Sequence, residues 1–367
     1  MKQTMKLQAL LCLLIFAAPL AAAQNIAFWN VENYFDTIAD SPEDQFTPGG
    51  RYRWTSSKFG AKARGIAKVI LALADSLGEP PSVVGLCEVE NEACMKALIR
   101  QPALRKYGYR YVHYDSPDHR GIDCALLWRG VGGSSGSSTL DVECPGLGRL
   151  RSSFAVPMRD TSGSVLPTRA LLVVEFDSLS VVVCHLPSKR GGSPEASRRR
   201  LLTLQTLAAV CDSLSSSEAG EFYPHFPAET ALFTQSGEFY PQKLAAGRPI
   251  VVIGDFNDTR SAVSDSLMRP MRELTPGPRD GATQTPAGII HAGQGTIKFQ
   301  GEWEQIDRAF VSEGMEATLS VAALPLLSEP DKKYGGVKPR RTFIGPRYNG
   351  GLSDHLPIIV SFNLLYL

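Results

Sequence analysis

The sequence predicts an α/β protein in which β-sheets are covered by helices within a single domain. Short apolar runs bounded by Gly, Pro, Ser or charged residues recur along the chain, which is typical of strands in packed sheets. Two longer stretches carry the period of an amphipathic helix instead. No segment between them has the character of a linker between two domains, so we expect one folded unit.

The chain begins with the features of an export signal. Lys2 and Lys6 precede the apolar run LQALLCLLIFAAPL, which leads into the small residues Ala21, Ala22 and Ala23. We expect residues 1–23 to be a signal peptide cleaved after Ala23, and residues 24–367 to form the mature domain. The run is too short to span a bilayer, and no other segment approaches the roughly 20 apolar residues that a crossing needs. The sequence therefore predicts an exported soluble protein, located in the periplasm or secreted.

Eight apolar runs are the predicted strands. In chain order they are NIAFWNV, SVVGLCEV, DCALLWR, ALLVVEF, LSVVVCHL, PIVVIGDF, QIDRAFV and PIIVSFNLLYL. Helices are predicted over Lys58–Leu77 and Pro194–Leu214, where apolar residues recur at helical spacing. Three further segments are predicted to be insertions or mobile loops: Gly130–Ser138, Ser215–Gly247 and the basic, Gly-rich Pro330–Gly351.

Charge and cysteine content limit the function. Loss of Lys2 and Lys6 with the signal peptide leaves 36 basic residues against 37 acidic ones, so the mature chain is near neutral. A nucleic-acid-binding protein that uses a broad cationic face is more basic than this, although a local patch can suffice. Six cysteines remain after cleavage, and this even number allows either disulfides or small core residues.

Polar side chains follow the apolar runs at several predicted strand ends. They are Asn30, Glu88, His185, Asp255, Asn257 and Asp307, together with Asp354 and His355 before the last strand. Turn chemistry alone would explain any one of them. Together they are the oxygen ligands and imidazoles that suit a hard divalent cation and proton transfer to water.

The order of these motifs resembles the endonuclease/exonuclease/phosphatase superfamily. The matching segments are FWNVEN, GLCEVEN, RGIDCALLW, CHLPS, GDFND, EQIDRAFVS and SDHLP, and they span Asn25 to Phe362. The resemblance implies a four-layer sandwich, in which two β-sheets pack face to face with helices on the outer surfaces. It also implies a divalent cation, Mg²⁺ or alternatively Mn²⁺ or Ca²⁺, and hydrolysis of phosphoester bonds.

The resemblance assigns a role to each matching residue. The implied metal ligands are Asn30, Glu88, Asp307 and Asp354. The implied catalytic residues are His185, Asp255, Asn257, Asp307, His355, Asp354 and Asp123. We expect Asp354 to orient His355, and Asp123 to pair with His185. Four arginines near these motifs, Arg120, Arg340, Arg341 and Arg347, are candidates for binding substrate phosphate.

The substrate stays open between two classes of phosphoester. We expect a nuclease that cleaves nucleic acid. The alternative is a phosphodiesterase or phosphatase that acts on small-molecule or lipid head-group esters, as sphingomyelinases do. Glu90 and Gly121 stand where deoxyribonuclease-like members carry DNA-contacting side chains, which weakens the first class. A non-catalytic binding protein is the least favoured interpretation, and we expect a monomer.

Overall fold

The computed structural model describes residues 24–39, 44–131, 142–188, 194–216, 247–269, 271–277, 284–285, 288–291 and 295–363. The predicted signal peptide lies outside the described residues, as do most of Gly130–Ser138 and most of Ser215–Gly247.

Five α-helices are formed by the described residues. They are α1 (Ser56–Leu77), α2 (Glu92–Ile99), α3 (Pro102–Arg105), α4 (Pro194–Ser215) and α5 (Ala262–Leu267). A short 3₁₀ helix covers Pro325–Leu327. The two predicted helices correspond to α1 and α4, each within two residues of its predicted ends.

Strands account for most of the remaining regular structure. In chain order they are β1 (Gln24–Tyr34), β2 (Val83–Val89), β3 (Tyr109–His113), β4 (Asp123–Arg129), β5 (Glu143–Cys144), β6 (Gly148–Val156), β7 (Leu171–Phe176), β8 (Ser180–His185), β9 (Ile250–Asp255), β10 (Met271–Leu274), β11 (Gln284–Thr285), β12 (Gly288–His291), β13 (Ile297–Phe299), β14 (Glu302–Glu304), β15 (Asp307–Ser312), β16 (Ala317–Ala323), β17 (Ser328–Pro330), β18 (Val337–Pro339), β19 (Phe343–Ile344), β20 (Arg347–Tyr348) and β21 (Ile358–Phe362). All eight predicted runs form strands.

Two large sheets organise the chain. The first has the strand order β11-β12-β16-β21-β1-β2-β4-β3, and the second has the order β10-β15-β9-β8-β7-β6-β5. In the first sheet, β1 lies centrally, parallel to β2 and antiparallel to β21. In the second sheet, β8 and β9 are parallel to each other.

The apolar side chains show how the layers stack. Val181 and Val183 of β8 belong to the core shared with the first sheet, whereas Val182 faces the opposite way and packs with Leu207 and Val210 of α4. This alternation is expected of a strand buried on both faces. On the first sheet, α1 covers the outer face with residues such as Ile66 and Ile70. The layers are therefore helix, sheet, sheet and helix, as predicted.

One expectation about local structure is corrected, and one question that the sequence left open is answered. The segment Pro330–Gly351 is not an unstructured loop, because β18 pairs with β17 and β19 pairs with β20 to make two small hairpins. These strands are only two or three residues long, too short for any apolar period to show in the sequence. The six cysteines from Cys87 to Cys211 are all buried free thiols, so the core interpretation holds and the disulfide alternative does not.

The helices within the described residues are each too short or too polar to cross a bilayer.

Candidate active site

Three strands of the second sheet bring His185, Asp255 and Asp307 into one row. His185 lies opposite Asp255 where β8 and β9 pair, and Asp307 lies opposite Asp255 where β15 and β9 pair. Gly254 lets β9 approach β8 closely, because a Cβ atom there would collide with the carbonyl oxygen of Cys184. All three functional side chains are buried. Their relative positions are therefore set by strand pairing.

Asn30 connects this row to the first sheet. Strand β1 pairs with β2 as far as Asn30, which lies opposite Cys87, and the pairing is then interrupted. The Asn30 Nδ2 atom donates to Asp255 Oδ2 at 3.0 Å and to Glu88 Oε1 at 3.3 Å. Its Oδ1 atom accepts from the main-chain N–H of Glu32 at 2.9 Å. One amide thus holds together the strand ends of both sheets.

The backbone is strained where these strands end. Six residues other than glycine have a positive φ angle in the part of the chain that is described, and four of them lie here: Glu32, Asn33, Glu88 and Asn257. Such conformations are costly for side chains with a Cβ atom and tend to persist at functional sites. At Asn257, the main-chain N–H donates to Asp255 Oδ1 at 2.8 Å and the side-chain Nδ2 donates to the carbonyl of Leu186 at 2.9 Å.

His355 is held between two carboxylates. Its Nδ1 atom forms a 2.7 Å hydrogen bond with Asp307 Oδ2, and its Nε2 atom lies 3.8 Å from Asp255 Oδ2. Ser353 Oγ accepts a hydrogen bond from the main-chain N–H of His355, and Trp29 Nε1 donates to its carbonyl oxygen. The ring is therefore fixed by its side chain and by its backbone.

Burial and neighbouring charge set the proton affinities in this row. Burial alone would lower the pKa of His355, but Asp307 and Asp255 outweigh it and hold that pKa well above its ordinary value. Burial raises the pKa of Asp255 to about 7, with Asp307 adding to the effect. Burial, helped by Arg169, keeps the pKa of His185 well below its ordinary value. At neutral pH His185 is therefore uncharged, and His355 and Asp255 retain a proton between them.

The expectation that Asp354 orients His355 is wrong. The nearest approach is 3.9 Å between Asp354 Oδ1 and His355 Nε2, compared with 2.7 Å for Asp307. Asp354 Oδ2 instead binds Arg341 Nη2 at 3.0 Å.

The expected pair of His185 and Asp123 is also absent. Asp123 opens β4 in the first sheet, where its Oδ2 atom lies 3.2 Å from Nε2 of His113, a residue of the neighbouring strand β3. His185 belongs to the second sheet, and its Nε2 atom lies 3.6 Å from Asp255 Oδ2. Its Nδ1 atom has no hydrogen-bond partner among the described residues. The sequence could not reveal this, because the partners depend on which strands become neighbours.

Three carboxylates, Glu32, Glu88 and Asp354, form a second group beside this row; we call it the carboxylate group. Glu32 accepts from Arg341 Nε at 3.0 Å and from the main-chain N–H of Thr342 at 2.7 Å. Glu88 Oε2 accepts from the main-chain N–H of Asn33 at 2.9 Å. Burial, followed by the charge of Asp354, raises the pKa of Glu32 to about 7.

Glu32 and Lys62 were not among the predicted site residues. Lys62 of α1 is buried, and its Nζ atom donates to the carbonyl oxygen of Glu32 and, at 2.7 Å, to Thr342 Oγ1. Glu32 carried a signal in the sequence, since it stands two residues after Asn30 in FWNVEN. Lys62 carried none, because a lysine in an amphipathic helix normally lies on the solvent side.

The carboxylate group has the donors that a hard divalent cation requires. Glu32 and Asp354 each lie 3.0 Å from nitrogen atoms of the same Arg341 guanidinium, so their oxygens are within reach of one cationic centre. Carboxylate oxygens are the preferred ligands of Mg²⁺, Mn²⁺ and Ca²⁺. Asp255, Asp307 and His355 are the more closely gathered set, since their ligand atoms lie within 4.8 Å of one another. Both sets already have partners, because Asp307 binds His355 while Glu32 and Asp354 bind Arg341. The carboxylate group is the candidate for a hard cation because all of its donors are carboxylate oxygens.

Two of the four predicted phosphate-binding arginines reach the site. A cleft of about 750 Å³, which we call the active-site cleft, is lined by residues that include Glu88, His185, Asp255, His355, Arg120 and Arg341. Arg340 and Arg347 do not line it. The Arg340 guanidinium turns back to the carbonyl of Asn349 at 3.2 Å, and Arg347 is exposed in a hairpin. Three cationic side chains that were not predicted also line the cleft, namely Arg169, Lys298 and Lys338.

Comparison with known proteins identifies a family. The family described as "Endonuclease/Exonuclease/phosphatase family" matches residues 25–221 and 243–364. Curated protein sequences give no match.

Solved structures also align with the chain. A humanized TDP2 of D. rerio has 16% identity, with 93% of this chain and 99% of that chain covered and a TM-score of 0.49. An endonuclease/exonuclease/phosphatase family protein from Bacteroides thetaiotaomicron has 13% identity, with 93% and 98% covered and a TM-score of 0.49. A mannosyl-6-phosphatase from the same species has 12% identity, with 92% and 98% covered and a TM-score of 0.47.

Proposed function

The chain belongs to the endonuclease/exonuclease/phosphatase family, and from this premise we propose that it is an exported, divalent-metal-dependent hydrolase that cleaves phosphodiester bonds of nucleic acid. In the reaction, a water oxygen forms a bond to phosphorus while the opposite P–O bond breaks. The proton released by the water is taken up at the site, and the departing alcohol oxygen gains one.

The observation that carries this proposal is the position of Asp255 between the two histidines. Its Oδ2 atom lies 3.6 Å from His185 Nε2 and 3.8 Å from His355 Nε2, beside the Asn30 amide that also touches Glu88. With a pKa of about 7, Asp255 can accept a proton from water near neutral pH. His355, charged and fixed by Asp307, is placed to hold an oxygen of the phosphate.

A cation bound by Glu32, Glu88 and Asp354 would neutralise charge on the phosphate and stabilise the departing oxygen. Neighbouring side chains and main-chain groups fix the position of Glu32. Thr342 and Arg341 hold the Glu32 carboxylate, and Lys62 holds its main-chain carbonyl. Arg120 Nη2 lies 3.9 Å from Glu88 Oε2, and Arg120 also lines the active-site cleft.

A second candidate substrate is a small or lipid head-group phosphoester with a single phosphate. It is favoured by the pairing of cationic side chains in the active-site cleft. Lys298 Nζ lies 3.1 Å from Asp331, Lys338 Nζ lies 3.6 Å from Glu329, and the Arg169 guanidinium lies 3.1 Å from Asp118. A polynucleotide track needs several cationic groups that face successive phosphates.

One panel of substrates tests both candidates. Mature protein is incubated with plasmid DNA, RNA, a sphingomyelin-type lipid and bis-nitrophenyl phosphate, with magnesium and with a chelator. Plasmid nicking that requires magnesium and weakens steeply with salt would support the nuclease. Hydrolysis of a soluble or lipid ester without DNA cleavage would favour the second candidate. Absence of all hydrolysis would reject both and leave a binding protein.

A further inference from the structure

A second cleft of about 790 Å³ opens next to the active-site cleft. We call it the aromatic cleft, because the side chains of Phe35, Phe46, Tyr52 and Phe343 line it. The two clefts share Glu32, Asn33, Arg120 and Arg341 along their common edge. A molecule whose phosphate lies in the active-site cleft can therefore extend directly into the aromatic cleft.

The aromatic side chains form a preorganised wall. The rings of Phe35 and Phe46 stack with centroids 4.3 Å apart, and those of Phe46 and Tyr52 stack with centroids 4.5 Å apart. Phe343 packs against Tyr52 with centroids 4.7 Å apart. Trp54 fixes the wall from behind, because its Nε1 atom donates to the carbonyl oxygen of Phe35 at 2.9 Å. A rigid aromatic wall binds flat or ring-shaped groups with little loss of conformational entropy.

The charges of the two clefts differ. Five carboxylates and five Lys or Arg side chains line the active-site cleft. The aromatic cleft is lined by four carboxylates, Glu32, Asp44, Glu90 and Asp118, but by only two arginines. Asp118 is paired with Arg169 and Glu32 with Arg341, and the further carboxylates of Asp44 and Glu90 leave the lining with an excess of acidic side chains, which disfavours a second phosphate there. Hydroxyl and amino groups are suited to it, since carboxylates accept their hydrogen bonds.

We propose that the aromatic cleft binds an uncharged, hydroxyl-bearing ring that is joined to the scissile phosphate. This proposal rests on the proposed phosphoester hydrolysis. It narrows the substrates to phosphoesters that carry such a ring. A nucleoside and a free sugar share the required chemistry. The ring lies against the aromatic wall while its phosphate is held between Arg120, Arg341 and the catalytic row.

Tyr52→Leu tests the proposal, because it removes one ring of the wall without touching the catalytic residues. Substrates are paired as ring-bearing and acyclic phosphate esters: a nucleoside 5′-monophosphate or a hexose 6-phosphate against glycerol 1-phosphate, each also as its methyl diester. Loss of one stacking ring is expected to raise KM for the ring-bearing esters by about fivefold or more. KM for the glycerol esters is expected to stay unchanged. If KM rises more for the nucleoside ester, the bound ring is a nucleoside. If it rises more for the hexose ester, the bound ring is a sugar.

Two control variants make the result specific. Tyr52→Phe keeps the ring and is expected to behave as wild type. Tyr348→Leu removes a ring that packs on Phe343, with centroids 5.6 Å apart, but does not line the aromatic cleft. Equal effects of Tyr52→Leu on ring-bearing and acyclic esters, or no effect on either, would overturn the proposal.

A failure of hydrolysis itself is a separate result. If wild-type protein cleaves none of these esters, the proposed function is rejected in this panel. The aromatic cleft is then tested by calorimetric titration of the wild type and Tyr52→Leu with the free nucleoside and the free hexose. Binding that is lost in Tyr52→Leu and kept in Tyr348→Leu supports the ring site. Absence of binding to the wild type rejects it.

Discussion

The imidazole of His355 is hydrogen-bonded to Asp307 across the two sheets, with 2.7 Å between Nδ1 and Oδ2. Asp307 opens β15 of the second sheet, and His355 precedes β21 of the first. We predict that Asp307→Asn lowers kcat by about 100-fold or more, because the amide cannot stabilise a charged imidazole. Steady-state kinetics measure kcat, and circular dichroism checks that the variant is folded. Turnover close to that of the wild type would show that this bond has no catalytic role.

The long buried strands and the two amphipathic helices could be predicted from the sequence, because their apolar periods extend over enough residues. The hairpins around Val337–Tyr348 could not, since strands of two or three residues leave no period. The convergence of Asn30, Glu88, Asp255 and His355 was expected because each follows or precedes a buried strand. The partners of His185 and His355 were not predictable, because they depend on sheet order and register.

Arg341 and Arg340 are adjacent in the chain but differ in their contacts. Arg341 binds Glu32 and Asp354 and lines both clefts, whereas the Arg340 guanidinium binds a main-chain carbonyl away from them. We predict that Arg341→Ala raises KM for the phosphoester substrate by about tenfold or more, as expected for a lost charge-assisted contact. Arg340→Ala is the matched control and is expected to change KM little. Equal KM values for the two variants would contradict the assignment.

Lys62 is a buried lysine that fixes the main chain at Glu32, one member of the carboxylate group. It is the hydrogen-bond partner of the Glu32 carbonyl and of Thr342 Oγ1, and its charge opposes the rise in the pKa of Glu32. We predict that Lys62→Met lowers the free energy of unfolding by about 2 kcal/mol, because two buried acceptors lose their donor. Urea unfolding measures this change.

Lys68→Met is the control for Lys62→Met, because Lys68 lies in the same helix but is exposed. It is expected to leave the free energy of unfolding unchanged. A wild-type value for Lys62→Met as well would mean that Glu32 and Thr342 find other partners.

Asp123 lies in the first sheet and His185 in the second, so their substitutions should have different effects. Asp123 accepts from the main-chain N–H of Ser116 at 2.9 Å and faces His113. We predict that Asp123→Asn lowers the free energy of unfolding by about 1 kcal/mol with turnover close to wild type. His185→Gln is predicted to lower kcat by about 100-fold, because His185 lines the active-site cleft beside Asp255. Similar losses of turnover in both variants would instead indicate that the two residues act together.

We expect Glu32 to make cation binding depend on pH. Burial, followed by Asp354, raises the pKa of Glu32 from 4.5 to about 7. Between these values the folded state holds a proton that the unfolded state has released, so stability without a cation falls as pH rises through this window. A divalent cation requires the deprotonated carboxylate, so its affinity rises over the same window.

We therefore predict that Mg²⁺ raises Tm more at about pH 8 than at about pH 6, since Glu32 is deprotonated only at the higher pH. In Glu32→Gln, the Mg²⁺-dependent rise of Tm is expected to be small at both pH values. Differential scanning calorimetry with magnesium and with a chelator measures the shift. Because Asp255 also has a pKa of about 7, Asp255→Asn is the control: it removes a titrating group of similar pKa outside the carboxylate group. If Glu32→Gln kept the full Mg²⁺ effect while Asp255→Asn lost it, the cation would bind on the Asp255 side of the cleft.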